Sequence, residues 1–367
     1  MTAHRYDDLR AQVRAFLDAE IAAGTIAPTA DSWLTGWDTE FTRRLAERGW
    51  VGMTIPHEYG GHSRGHLERF AVTEELLAVG APVAAHWIAD RQIAPSLLKF
   101  GTEAQKRALL PGIASGTVFF GIGMSEPDAG SDLAAVRTRA TRVDGGWELT
   151  GTKVWTSGAH RAHYFIALAR THPREDGRRH AGLSQFIVDL RGPGVTVNPI
   201  ISMNGGHHFN EVVLEKALVP DERVFGEIGA GWTQVTSELA FERSGPERFL
   251  STFPLLSAAV ESDDSTVDDA ALGASIARIA GLHHMSGAVA ETLAREEPAD
   301  LAAAVVKVLG TATEGDIADV LDLAIADDTS PLGAAVAAAA DQRPGFTLRG
   351  GTNEILRGVI ARGLGMR

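Results

Sequence analysis

What most constrains this chain is a change of texture partway along it, from helical spacing to strand spacing and back. From about residue 4 to 118, apolar residues recur three and four apart: Leu9, Val13, Phe16 and Leu17, then Phe41 and Leu45, then Leu76, Leu77 and Val79. Gly60-Gly61, Pro82 and Pro111-Gly112 punctuate these stretches as helix ends. Near Thr117 the apolar residues begin to alternate or to run in short bursts, at 118–124, 136–143, 147–149, 164–169, 185–188, 195–197 and 212–214. Asp144-Gly145-Gly146 between two of these bursts is a hairpin signal, because a two-residue turn needs positive φ that Asp and Gly supply. Past the glycines at 229 and 231 the pattern is helical again, Ala-rich to about 340, with a last helix near 354–364. The segments 261–269 and 326–331 read as solvated loops. The order predicts an α+β protein: an N-terminal α-helical domain (1–118), a middle antiparallel β domain (119–226) and a C-terminal α-helical bundle (227–367).

Charge and composition exclude several classes of function. The formal net charge is −13 and no basic stripe offsets it, which argues against nucleic acid or an anionic membrane as partner. The absence of cysteine rules out disulfides, thiolate nucleophiles and cysteine-bound metals. No apolar run approaches the roughly 20 residues that span a bilayer, and the N-terminus lacks an apolar signal core, so a soluble, cytoplasmic protein is expected. His62 and His66, His207-His208 and His283-His284 are close in sequence without a third or fourth ligand to complete a metal site. No Gly-x-Ser-x-Gly elbow supplies a hydrolase nucleophile.

The chemistry is concentrated in two segments of the β region. Gly123-Met124-Ser125-Glu126-Pro127-Asp128-Ala129-Gly130-Ser131-Asp132 leaves the end of an apolar strand, and a loop of small residues there lets a ligand approach backbone and hydroxyl groups closely. Taken alone it could equally be a turn with Ser131 or Asp132 capping a helix. Gly121-x-Gly123 lacks the third glycine and the following helix of a dinucleotide fingerprint. The second segment is Gly151-Thr152-Lys153-Val154-Trp155-Thr156-Ser157. A tryptophan on a strand is more often core than site.

In detail, the first segment resembles the signature of the acyl-CoA dehydrogenase family, and the second resembles that family's Gly-x-Lys-x-Trp-Ile-Thr strand, with Thr156 in place of Ile. Further echoes are Arg48-Gly49-Trp50-Val51-Gly52, Pro56-His57-Glu58-Tyr59-Gly60-Gly61, Val219-Pro220, Gly231-Trp232, Glu242-Arg243 and Arg349-Gly350-Gly351-Thr352-Asn353-Glu354-Ile355. The resemblance implies FAD as cofactor, held by Met124, Ser125, Gly130, Ser131, Trp155, Thr156, Ser157, Thr352 and Glu354. It implies an acyl-CoA substrate, with Ser131 and Arg243 as substrate-binding residues, and an electron-transfer flavoprotein as acceptor.

Removal of a thioester α-proton needs a carboxylate within hydrogen-bond reach of that carbon. Most members of the resembled family place a Glu immediately before the Gly-Thr of the C-terminal loop, where this chain has Gly350. The family's second solution places it eleven residues beyond the glycine preceding a later helix, which from Gly231 is Glu242. Glu242 is therefore the expected base, with Glu238 and Glu247 as neighbouring carboxylates.

The chain also departs from the family pattern. Homotetrameric members carry an Arg-x-x-Phe-Gly element whose arginine binds the cofactor's pyrophosphate across a subunit interface, a task for a forked guanidinium. Here no Arg or Lys lies between Arg248 and Arg278, and Asp263, Asp264, Asp268 and Asp269 occupy the stretch. A supporting Gln-x-x-x-Gly-Gly element is absent too, its place taken by a shortened stretch at 321–328. A heterotetramer with a paralogous subunit follows as the expectation, with a homotetramer as the alternative. Two other readings remain open: a flavin oxidase or monooxygenase, and a non-catalytic partner subunit.

Overall fold

A computed structural model describes residues 6–174, 177–243, 245–262, 267–325 and 330–366 of the chain. Its backbone divides into two contact-dense units: Met1–Phe41, Arg64–Val83 and Ala240–Arg367 form one, and Thr42–Ser63 with Ala84–Leu239 form the other.

The second unit holds an eight-stranded sheet. Its strands are β1 (Phe120–Gly123), β2 (Arg139–Val143), β3 (Gly146–Lys153), β4 (Tyr164–Arg170), β5 (Leu183–Asp189), β6 (Val195–Ile200), β7 (Phe209–Pro220) and β8 (Val224–Phe225). The order is β6-β7-β3-β2-β4-β5-β8, with β1 paired in parallel to β4. The β2–β4 contact is also parallel and the remaining pairs are antiparallel. Val143 pairs with Gly146, so Asp144-Gly145 is the two-residue turn that the sequence predicts, with Gly145 at φ 73°. Strands β4 and β5 are buried almost throughout, as their unbroken apolar runs require. Helices α5 (Ala84–Ile88), α6 (Ala94–Phe100) and α7 (Glu103–Ala114), with a π-helical segment Ala89–Ile93 between the first two, belong to the same unit. Ile93, Leu97, Leu110 and Ile113 pack with Phe120, Ile166 and Ile187 into one core cluster.

The first unit is helical: α1 (Asp7–Ala22), α2 (Ser32–Thr35), α4 (His66–Ala78), α9 (Phe253–Glu261), α10 (Asp269–Ala294), α11 (Asp300–Ala324), α12 (Pro331–Phe346) and α13 (Asn353–Gly363). Helices α3 (Thr39–Glu47) and α8 (Gly231–Arg243) each have residues in both units.

One local expectation needs correction. Pro111 does not end a helix: α7 runs through it to Ala114. A proline this close to the C-terminus removes one intrahelical bond and clashes with a single preceding carbonyl, a local cost that Ile113 and Ala114 offset by burial. The strand β8 carries no sequence signal, because two residues cannot show a period. Of the acidic run after α9, Asp268 caps α10 by accepting from the Ala270 N–H at 3.3 Å, and Asp263 and Asp264 lie outside the described residues.

Candidate active site

The two chemistry-bearing segments of the sheet unit are locked to each other by a buried ion pair. The Lys153 ammonium, wholly buried at the end of β3, donates to the Glu126 carboxylate at 2.8 Å and to the Met124 carbonyl at 3.1 Å. Glu126 also accepts from the backbone N–H groups of Arg137 at 2.7 Å and Thr138 at 2.9 Å. A carboxylate with this many donors has its desolvation offset: burial pushes Glu126 up, but the Lys153 charge and the hydrogen bonds bring it below its ordinary value. Burial pulls Lys153 down to about 8 against the opposing attraction of Glu126, so both groups are charged at neutral pH. The Val154 N–H donates to the Ser125 carbonyl at 3.0 Å, seating Ser125 beside Trp155.

Two glycines permit this closeness. A Cβ at Gly123 would stand 2.2 Å from the Phe165 ring, and one at Gly151 would stand 2.4 Å from the Thr138 hydroxyl. The loop itself is closed by reciprocal bonds between the backbones of Glu126 and Ala129, at 2.9 and 3.1 Å. Met124 packs on the cluster of Ala129, Val136, Leu168, Leu183 and Val235, while Gly130 and Ser131 lie on the exposed rim. Beyond them Asp132 pairs with Arg179, and His180 stacks flat on Trp232 at 3.8 Å.

Past Lys153 the chain turns sharply. Trp155 has φ 61°, a left-handed conformation costly for a non-glycine residue, and its indole remains 57% exposed, with the Phe209 ring set perpendicular to it at a centroid distance of 5.6 Å. Thr156 exchanges backbone hydrogen bonds with Asn210 at 3.0 and 3.1 Å, and the Asn210 side-chain amide donates a third to its carbonyl at 3.0 Å. His160 and His207 stack at 4.1 Å, and each has a ring nitrogen on the Asn210 side-chain oxygen, at 3.1 and 2.9 Å. The Thr156 hydroxyl is buried and has no hydrogen-bond partner among the described residues. A strained backbone that presents an indole face, beside a small-residue loop and an unpartnered hydroxyl, fits a planar heteroaromatic group with polar edges. The structure thus brings Met124, Ser125, Trp155, Thr156 and Ser157 into one neighbourhood.

The remaining predicted residues belong to the helical unit. Glu242 is in the last turn of α8, and its side chain lies outside the described residues. Its two neighbouring carboxylates have other partners: Glu238, in the sheet unit, is buried and accepts from the Gln185 amide at 3.0 Å, while buried Glu247 stands 3.7 Å from Arg248. The Arg243 Nε donates to the Gly350 carbonyl at 2.9 Å, so part of its guanidinium is committed to the C-terminal loop. Thr352 caps α13, its hydroxyl accepting from the Ile355 N–H at 3.3 Å. Exposed Glu354 is held below its ordinary value by its own backbone N–H and by Thr352, a helix-start role. Buried Asn353, which the motif includes without assigning it a task, accepts from Lys307 at 2.8 Å and Thr311 at 3.2 Å.

Neither Glu126 nor Lys153 is identified from sequence as more than a motif letter. The signal was present in each motif, but their pairing across 27 positions was not. Among the described residues no group of three His, Cys, Asp or Glu could hold a metal, and no helix is long and apolar enough to cross a membrane.

Comparison with known proteins bears on the whole arrangement. Residues 4–117 match the family described as acyl-CoA dehydrogenase, N-terminal domain, and residues 121–217 match acyl-CoA dehydrogenase, middle domain. The chain is 41% identical over 199 residues to acyl-CoA dehydrogenase FadE34 of Mycobacterium tuberculosis, a match covering 53% of this chain and 27% of that protein. It is 37% identical over 244 residues to acyl-CoA dehydrogenase IpdE1 of the same organism, covering 65% and 63% respectively. The matches therefore span between about a quarter and just under two thirds of these relatives' lengths. Among solved structures, the Tcur3481-Tcur3483 steroid ACAD superposes with a TM-score of 0.87 at 28% identity, covering 100% of this chain and 99% of that one. The ChsE4-ChsE5 complex from Mycobacterium tuberculosis gives a TM-score of 0.81 at 28% identity over the same shares.

Proposed function

The chain belongs to the acyl-CoA dehydrogenase family, and we propose that it takes part in the α,β-dehydrogenation of an acyl-CoA thioester to the 2-enoyl-CoA, with FAD as cofactor. The observation that carries this reading is the latch in which Lys153 and Glu126 seat Ser125 beside a left-handed, exposed Trp155. Met124, Ser125 and Thr156 would meet the polar edge of the flavin, and Trp155 would cover its ring. When bound, the flavin accepts the β-hydrogen with its electron pair.

The chain's own part is binding and proton removal. Glu242 abstracts the α-proton; excluding water around it raises its basicity toward that of the thioester carbon acid. Gly350, at the family's alternative base position, has no side chain to compete. Ser131 lies on the exposed loop rim where a thioester's polar arm can pass, and Arg243 would face the CoA side.

We propose further that the working enzyme contains a second, paralogous subunit and passes electrons to an electron-transfer flavoprotein. Support comes from the absence of any Arg or Lys between Arg248 and Arg278, and from the two-component names of the similar steroid ACAD and ChsE4-ChsE5 structures. A steroid-type acyl chain is the substrate class these likenesses favour.

Co-expression with a genomically adjacent paralogue should yield a yellow complex that acyl-CoA bleaches anaerobically. Glu242→Gln should retain the colour and lose the bleaching. Bleaching that survives Glu242→Gln would move the base elsewhere, and a colourless product in every combination would leave a non-catalytic subunit.

A further inference from the structure

The C-terminal loop ahead of α13 is pinned from three directions, and one pin has no part in the reading above. At its base, wholly buried Lys307 donates to the Thr347 carbonyl at 2.9 Å and to the Asn353 side chain at 2.8 Å. Between these points Gly350 and Gly351 have φ of 66° and 86°, so the apex gains no rigidity from its own side chains. The residue before them is Arg349. Its nearly buried guanidinium donates to the Asp31 carboxylate and lies 4.6 Å from the centroid of the Trp33 ring and 5.2 Å from that of Phe346.

The receiving wall is itself fixed. Asp31, buried and left-handed at φ 54°, donates its N–H to the Ser251 carbonyl at 2.8 Å. The Trp33 indole N–H donates to the Ser251 hydroxyl at 3.1 Å, and the Ser251 N–H donates to Glu314 at 2.8 Å. Arg248 approaches the same indole, 5.1 Å from its centroid. On the other side of Arg349, the Gly350 carbonyl receives the Arg243 Nε at 2.9 Å, and a Cβ on Gly351 would stand 3.3 Å from another Arg243 nitrogen. Arg243 directly follows Glu242 in α8. A continuous run of contacts therefore leads from Asp31 through Arg349 and Gly350 to Arg243.

We propose that Arg349 is a positioning residue: clamped by Asp31 and Trp33, it fixes the Gly350 carbonyl, which through Arg243 fixes the last turn of α8 and the backbone that carries Glu242. The catalytic consequence rests on Glu242 being the base; the mechanical link does not.

Amide hydrogen exchange on the full chain, read by mass spectrometry, separates the two. Arg349→Gln and Asp31→Asn should each speed exchange about tenfold or more both at 350–353 and at 240–243, with α11 unchanged. Faster exchange confined to 350–353, or no change in either segment, would overturn the link. If Arg349→Gln melts out, Asp31→Asn, which keeps the Asp31 backbone bond to Ser251, decides alone. In the flavin-loaded complex, both variants should lower kcat with little change in KM. Glu242→Gln should abolish turnover while leaving exchange at 350–353 as in the parent, so an error about the base and an error about the clamp give different results.

Discussion

Two groups of buried charge, one in each unit, show opposite ways of taking ions out of water. In the sheet unit, Glu126 and Lys153 are one acid and one base, and the carboxylate is surrounded by donors from Lys153, Arg137 and Thr138. In the helical unit, three carboxyl groups, Asp31, Glu247 and Glu314, share a buried neighbourhood with two guanidiniums, Arg248 and Arg349. Burial, partly opposed by Arg349 and Ser251 and reinforced by Asp31, pushes Glu314 up to about 7. Its second oxygen, and two nitrogens of Arg349, find no hydrogen-bond partner among the described residues. The balanced pair is a fixed latch. The unbalanced cluster contains a carboxyl that burial keeps protonated against the pull of Arg349, so its stability changes with pH between about 4.5 and 7, a range in which both latch groups stay charged.

The largest effect should come from breaking the latch on one side only. Lys153→Met strands the Glu126 carboxylate and should cost about 3–5 kcal/mol in denaturant unfolding. Adding Glu126→Gln should restore part of that loss, since it removes the unpaired charge. If the double variant is no better than the single, the latch is not acting as a pair.

Next in size is the pH response of the cluster. The folded pKa of Glu314, about 7, lies above its ordinary 4.5, so the folded state holds a proton that the unfolded chain releases between these values. Its stabilising contribution is complete below 4.5 and disappears as pH rises through 7. Glu314→Gln should match the parent near pH 4 and exceed it above pH 7 by up to about 3 kcal/mol. Parallel stability curves from pH 4 to 8 would show that folding leaves the carboxyl's pKa where it stands in the unfolded chain.

The smallest change in stability, and a sharper test of purpose, is Thr156→Val. Removing an unpartnered buried hydroxyl should shift unfolding by less than about 1 kcal/mol, and in the stabilising direction. Flavin affinity, measured by fluorescence titration, should nevertheless fall several-fold. Unchanged affinity would mean that the hydroxyl contacts nothing on the cofactor.

The same contrast explains which features are legible in the sequence. The Asp144-Gly145 turn, the buried runs of β4 and β5, and the two motif segments are local patterns, and local patterns survive in a linear string. The latch joins letters of both motifs across 27 positions, and the clamp joins Asp31 to Arg349 across 318. No spacing encodes such pairings, because loop closure over these lengths costs nearly the same for any partner. Pro111 misled for a related reason: its effect depends on whether the residues after it are buried, which Ile113 and Ala114 are. Glu242 was reached only by family resemblance, since a glutamate on a helix has no mark of its own.

The left-handed backbone at Trp155 has a consequence for anyone who improves this protein by heat. That torsion stores on the order of 1–3 kcal/mol, and the indole it displays returns little packing, being 57% exposed. Glycine or asparagine would relax the turn and leave a hardier chain. A thermostability selection run without ligand would therefore drift toward sequences that melt later and have lost the indole which, under the proposed function, covers the flavin.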